Sequence, residues 1–148
     1  MKIMKIIPPP AHALLILFIC KGLDMILPRT VDIFSPTLGT VIALPGLIFI
    51  FWAWIQFFLN KTTPIPNGEP SALVTGGPYR YTRNPMYLGL LIILASLGFF
   101  SGSPVYLLSP VALFFIIDRL FIPDEEAKLE QLFDRRFAEF KLQVKRWL

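Results

Sequence analysis

Four long apolar runs, Ala11 to Leu27, Pro36 to Leu59, Met86 to Phe100 and Val105 to Phe121, constrain this chain more than any other feature. Each is close to the ~20 residues that a bilayer core about 30 Å thick requires. Backbone in lipid must satisfy its own hydrogen bonds, so continuous apolar runs of this kind become helices. Composition agrees: of 148 residues 55% are hydrophobic and only 16% charged, with mean hydropathy +0.63, more apolar surface than a soluble core of this length absorbs. The expected fold class is all-α, an integral membrane helical bundle with about four transmembrane helices, forming a single domain over residues 1–148.

The first run follows Lys2, Lys5 and Pro8-Pro9-Pro10, contains Lys21 and Asp24, and lacks a small-residue cleavage site, so it reads as a retained span rather than a signal peptide. Lys21 and Asp24 stand one turn apart and are expected to pair. The Ser101-Gly102-Ser103-Pro104 turn is so short that the third and fourth spans must form an antiparallel hairpin. Pro45 and Pro110 fall inside spans, where kinks are expected. Lys2, Lys5, Lys61, Arg80, Arg83, Arg119 and every later basic residue lie on one side, against Arg29 on the other, which predicts that both termini face the cytoplasm. A multi-pass protein of the inner or plasma membrane of a prokaryote is expected. The net charge of +4 gathers on the cytoplasmic face and favours membrane lipids over nucleic acid as partners. One His and one Cys, His12 and Cys20, cannot furnish an ordinary zinc site, so no metal is expected.

After Pro123 the pattern becomes amphipathic, with Leu129, Phe133, Phe137, Phe140, Val144 and Trp147 spaced by three or four and Lys128, Arg135, Lys141 and Lys145 opposite them. This reads as a cytoplasmic helix lying on the membrane surface. Trp52, Trp54, Phe57 and Phe58 read as an interfacial aromatic belt, His12 as an interfacial residue, and Asp118 as the partner of a snorkelling Arg119.

Polar chemistry concentrates between Gly76 and Gly89, GGPYRYTRNPMYLG, at a boundary between apolar runs. The run that follows, fifteen residues from Met86 to Phe100, would be about 22 Å long. That is short of the membrane core, which predicts that Tyr79 to Asn84 lie in a recess covered by protein. Asn84-Pro85 has the signature of a helix start, whose free amides attract carboxylate or phosphate. Arg83 beside it adds a planar fork suited to a carboxylate, although interfacial Arg and Tyr also serve as anchors. Asp124, Glu125 and Glu126 suit the first turn of the last helix. Glu126 falls on its apolar face, where it needs a cationic partner, either Arg83, Arg80 or a positively charged ligand.

No glycine-rich phosphate loop, dinucleotide fingerprint, G-x-S-x-G elbow or Cys/His pair occurs. Gly77-Pro78-Tyr79, Thr82-Arg83-Asn84-Pro85-Met86-Tyr87-Leu88-Gly89, then after one hairpin Glu125-Glu126, Leu129, Phe133, Phe137, Phe140, Val144 and Arg146-Trp147, form two motifs in a fixed order. Over Gly76 to Leu148 the chain resembles the isoprenylcysteine carboxyl methyltransferase family, together with the phospholipid methyltransferases that share its C-terminal half.

The resemblance implies an S-adenosylmethionine-dependent methyltransferase whose cofactor enters from the cytoplasm, between the hairpin and the last helix, and whose lipophilic, membrane-embedded acceptor arrives from the bilayer. It implies cofactor binding by Tyr79, Tyr81, Arg83, Asn84, Pro85, Tyr87, Leu88, Glu125 and Glu126. Catalytic roles are expected for Arg83, Glu126 and Arg136, with Arg83 or Arg136 orienting an acceptor carboxylate if there is one. Asn84 stands where the eukaryotic carboxyl methyltransferases have His, Asp134 replaces a common Gly, and Phe137 and Phe140 replace Tyr. The acceptor is therefore open among a prenylated cysteine carboxylate, a phospholipid amine and a small thiol. An NADPH-dependent membrane sterol-type reductase ranks lower, since its Asn before Tyr and Glu after Gly are absent around Tyr87, and a non-enzymatic membrane scaffold needs no pocket at all.

Overall fold

The computed structural model describes residues 7–27, 35–63 and 70–148, and their regular structure is entirely helical. Lys2, Lys5 and Arg29, on which the orientation argument rests, lie outside the described residues. Helix α1, Pro9–Ile26, starts with proline in its first turn, where the missing N–H has no intrahelical role. Helix α2, Pro36–Leu59, starts the same way and is capped by Ser35, whose hydroxyl accepts from the Leu38 amide at 3.1 Å. It continues through Pro45, whose surroundings are exposed to the lipid side.

Helix α3, Pro85–Ser101, packs along α2. Gly39, Gly46 and Ala53 are the buried positions of α2, seven residues apart, and form the smooth stripe that brings the two backbones together. At the closest approach a Cβ on Gly89 would sit 2.6 Å from the Gly46 carbonyl oxygen, and one on Gly46 would sit 2.8 Å from that of Gly89. Only hydrogen fits at either position.

A 3₁₀ turn, Pro104–Leu107, leads into α4, Leu108–Ile116, then a π turn at Ile117–Phe121 and α5, Ile122–Gln143. Pro110 therefore falls in the first turn of α4, where it breaks nothing. The expected fourth span and the expected surface helix are one helical stretch of 40 residues, Pro104–Gln143. The π turn has a local cause: Pro123 lacks an N–H and its ring crowds the carbonyl four residues back, so the ladder widens and Ile122 donates to Ile117 instead. Inside α5, Asp134 has φ 40° and ψ −114°, so two helical pieces meet there at an angle to the regular path.

By length and composition α1, α2 and the Pro104–Gln143 stretch can each cross a membrane, and α3 is a shorter apolar helix. Leu14, Phe18, Leu44, Ile48, Phe51, Phe58, Val111 and Phe115 point outward, as lipid-facing side chains do. Ala13, Leu94, Leu113, Ile117 and Ile122 make one core where α1, α3 and α4 meet. Ala53, Val74, Tyr79, Phe137, Phe140 and Val144 make the other. The apolar stripe of α5 therefore packs on protein, on α2 and the loop before α3, in place of the membrane surface expected of it.

His12 is buried, with Nδ1 3.3 Å from the Pro8 carbonyl oxygen and its ring edge-on to Phe121, so it is a packed residue and not an interfacial one. The expected Lys21 and Asp24 pair does not form. Asp24 is buried, whereas Lys21 is exposed and makes no hydrogen bond or ion pair among the described residues.

Candidate functional site

The loop from Gly76 to Asn84 is shaped by where its side chains can go. Gly77 has φ +59°, and a Cβ there would meet the Gln56 side chain at 2.8 Å, so glycine lets the 3₁₀ turn Gly77–Arg80 lie directly on α2. Tyr79 then points inward and meets Phe57 edge-on at 5.8 Å, while Tyr81 points outward, 61% exposed, beside Trp52.

Thr82, Arg83 and Asn84 are fastened to the C-terminal segment of the chain. The Arg83 amide donates to the Lys145 carbonyl at 3.0 Å, and the Thr82 hydroxyl and the Asn84 side-chain amide each donate to the Arg146 carbonyl at 3.0 Å. Arg83 also sends Nη1 to the Val144 carbonyl at 2.8 Å and to that of Lys141 at 3.3 Å, and Nη2 to Glu126 at 2.7 Å. Arg146 grips the other oxygen of Glu126 at 2.6 Å, reaches Asp118 at 3.3 Å, and is followed by Trp147, whose indole donates to Asp118 at 3.0 Å. Residues 144–147 thus act as a strap that joins the loop before α3 to the π turn and to the first turn of α5.

Glu126 obtains the cationic partner its apolar position demands, and obtains two. Burial alone would raise its pKa, but hydrogen bonds and charge from Arg146 and Arg83 outweigh that and hold it below the ordinary carboxylate value. The Arg146 pKa is correspondingly raised, first by its hydrogen bond to Glu126. Glu125, one residue earlier, is the opposite case. Its polar contact is the Tyr87 hydroxyl, which donates to it at 2.5 Å, and no Arg or Lys pairs with it among the described residues. Burial, with Glu126 and Asp124 nearby, pushes its pKa up to about 7, despite the lowering effect of the Tyr87 bond. Burial and the neighbouring Glu125 raise the Tyr79 pKa in turn.

These side chains border a cavity of about 480 Å³. Glu125, Glu126, Arg83, Asn84 and Lys128 make its polar end, and Tyr79, Tyr87, Met86, Leu129, Phe137 and Phe140 its walls. Pro8 to Pro10 and the aromatic pair Trp54 and Phe57 complete it toward the start of α1 and the end of α2. Phe57 and Trp54, expected as interfacial belt, are thus cavity wall as well.

Of the residues singled out from sequence, Tyr79, Arg83, Asn84, Pro85, Tyr87, Glu125 and Glu126 converge on this cavity. Tyr81 and Leu88 do not line it, and Arg136 is exposed on α5 away from it. Asn84 does precede α3, with Pro85 at the first helical position, yet its side chain does not cap the helix because it is bonded to the strap. Asp118 keeps a 3.7 Å contact to the exposed Arg119, but its closer partners are Arg146 and Trp147. Arg146 is the residue that reasoning from sequence passed over as a site residue. Its signal was the Arg146-Trp147 pair at the end of the second motif, which carries no charge partner visible in sequence. Among the described residues no cluster of His, Cys, Asp or Glu has the arrangement of a metal site.

The cavity combines apolar and aromatic walls with a polar end of charged side chains. No curated protein and no solved structure matches the chain. The family model described as phospholipid methyltransferase matches residues 34–136, a segment that carries the loop before α3, the hairpin and the paired glutamates. The chain therefore belongs to the phospholipid methyltransferase family, whose members are membrane methyltransferases acting on lipophilic substrates.

Proposed function

We propose that this protein transfers a methyl group from S-adenosylmethionine to the amine of a phospholipid head group, using the cavity around Glu125. The observation that carries the reading is the unequal state of the two glutamates. Glu126 is held by Arg83 and Arg146, while Glu125 borders the cavity and, among the described residues, is bonded to the Tyr87 hydroxyl and to no cation. A half-buried carboxylate that is paired with no cation favours a cationic group beside it over a carboxylate. The prenylcysteine alternative would need a free guanidinium, and both Nη atoms of Arg83 are already bonded within the chain while Arg136 lies elsewhere.

The residues present fit the cofactor. The Nε of Arg83 is buried without a hydrogen-bond partner, and the start of α3 has no side-chain cap, so an amino-acid carboxylate has donors beside Met86 and Tyr87. Tyr79, Phe137 and Phe140 line the cavity with aromatic carbon, which suits the apolar parts of the cofactor. S-adenosylmethionine, when bound, supplies a methyl group activated by its sulfonium, which departs as a neutral thioether.

For an amine acceptor the chain must remove one proton, because an ammonium has no lone pair to attack with. Glu125 takes it: its pKa of about 7 is far closer to that of an amine than an ordinary glutamate's, and Tyr87 fixes the carboxylate's orientation. The walls exclude water and align the nitrogen with the methyl carbon. Arg80, Arg119, Arg135, Lys141 and Lys145 gather at this end of the helices, which favours placing the cavity and both termini at the cytoplasmic face.

The test is methyl transfer by the purified protein from radiolabelled S-adenosylmethionine to phosphatidylethanolamine, a prenylcysteine and a long-chain thiol. Label in phosphatidylethanolamine is expected. Label confined to the prenylcysteine or thiol overturns the acceptor, and failure to bind S-adenosylhomocysteine overturns the cofactor.

A further inference from the structure

At the opposite end of the helices lies a second concavity, an open groove of about 490 Å³ between α1 and the end of α3. Its walls are Leu14, Leu17, Phe18, Leu97 and Phe100, and its one charged residue is Lys21. It shares no residue with the cavity at Glu125, which lies against the start of α1 and the start of α3. Leu14 and Phe18 are exposed, as is Lys21, so the groove opens sideways toward lipid.

Lys21 stands five residues before the end of α1, roughly 8 Å below it along the axis. A lysine at that depth can bring its ammonium to the level of the lipid phosphates by extending along the helix. It has no ion-pair partner among the described residues, because the acid one turn away, Asp24, is buried. An unpaired cation at the head of an apolar groove in a bilayer is complementary to one abundant kind of molecule, an amphiphile with an anionic head and hydrocarbon chains.

We propose that this groove binds an anionic phospholipid, with Lys21 on the head-group phosphate and an acyl chain along Leu14, Leu17, Phe18, Leu97 and Phe100. The bound lipid then supplies the counter-charge that Lys21 does not find among the described residues, and it bridges α1 to the α3 hairpin. Ser101, at the polar rim, has its hydroxyl bonded to the Gly98 carbonyl and is not required as a ligand. The proposal is independent of the methyl-transfer reading.

Phosphatidylglycerol, which has no amine to methylate, is the probe, with phosphatidylcholine as the zwitterionic control. Native mass spectrometry of the purified protein in a neutral detergent should show phosphatidylglycerol retained at least about tenfold more tightly than phosphatidylcholine. Lys21→Gln should abolish that preference, Lys21→Arg should keep it, and Leu97→Trp, which fills the groove, should weaken both lipids. Equal retention of the two lipids by the parent, or an unchanged preference in Lys21→Gln, overturns the proposal. So does a concentration-dependent dimer by light scattering that Phe100→Lys dissociates, since a second copy of the chain would then occupy the groove. Melting curves of each variant identify any that fail to fold, and Lys21→Arg keeps the comparison decisive in that event.

Discussion

The Tyr87 hydroxyl donates a 2.5 Å hydrogen bond to Glu125, and this bond joins the first turn of α3 to the first turn of α5 across the cavity. The neighbouring Glu126 crosses the same gap through Arg83 and Arg146. Adjacent residues thus cross the same gap by different chemistry: Glu126 through two charged partners, and Glu125, on the cavity lining, through a neutral hydroxyl.

Replacing Glu125 should separate activity from stability. Its folded-state pKa of about 7 lies above the ordinary 4.5, so folding favours the protonated form. That contribution is complete below pH 4.5 and is lost as pH rises through 7. Glu125→Gln cannot ionise, so in thermal unfolding it should equal the parent near pH 4.5 and exceed it by up to about 2 kcal/mol at pH 8. Methyl transfer should fall by roughly 10²- to 10⁴-fold, and the parent's rate should rise through pH 7 as the carboxylate forms.

The strap should respond to acid in the opposite sense. Glu126 is held below its ordinary pKa, so its contribution is present above that value and disappears as pH falls through the depressed one. Arg146→Met should destabilise the protein by about 1–3 kcal/mol and weaken binding of S-adenosylhomocysteine, because Glu126 and Asp118 lose the guanidinium that ties the strap to α5 and the π turn. A double-mutant cycle between Arg83→Ala and Glu126→Ala should return a coupling of at least about 1 kcal/mol; additivity would show that the pair does not hold the site.

Asp134 is strained where a glycine would not be. At φ 40° and ψ −114° its Cβ crowds the backbone, and the side chain is exposed. Asp134→Gly should raise stability by about 1 kcal/mol in denaturant titration, with no change in transfer rate. A loss of stability would mean that the side chain holds the bend.

Helix contact at the paired glycines sets the position of α3. Gly89→Ala puts a methyl 2.6 Å from the Gly46 carbonyl oxygen, which must push α3 away from α2. A loss of about 1–3 kcal/mol is expected, together with reduced activity as Tyr87 moves. Gly22→Ala, with open space around it inside α1, should instead stabilise by roughly 0.5–1 kcal/mol.

Arg136→Ala and Tyr81→Phe should leave stability within about 0.5 kcal/mol of the parent, since both side chains are exposed and border no part of the cavity. A large drop in transfer with either variant would restore it to the site.

The apolar runs determined by themselves that this chain is a helical membrane protein, because hydrocarbon leaves the backbone no other way to satisfy its hydrogen bonds. Asn84-Pro85 marked the start of α3, and the paired glutamates marked the first turn of α5, since caps and first-turn acids are read locally. The partners of those residues were decided by tertiary structure alone. Arg83 and Glu126 are 43 residues apart in the chain, and Thr82 and Arg146 are 64 apart, separations across which sequence pattern carries no distance. The close glycine contact of α2 with α3 and the widened turn ahead of Pro123 set the frame in which the loop before α3 meets the strap at residues 144–147. That closure gave two neighbouring glutamates different partners, two arginines for Glu126 and the Tyr87 hydroxyl for Glu125.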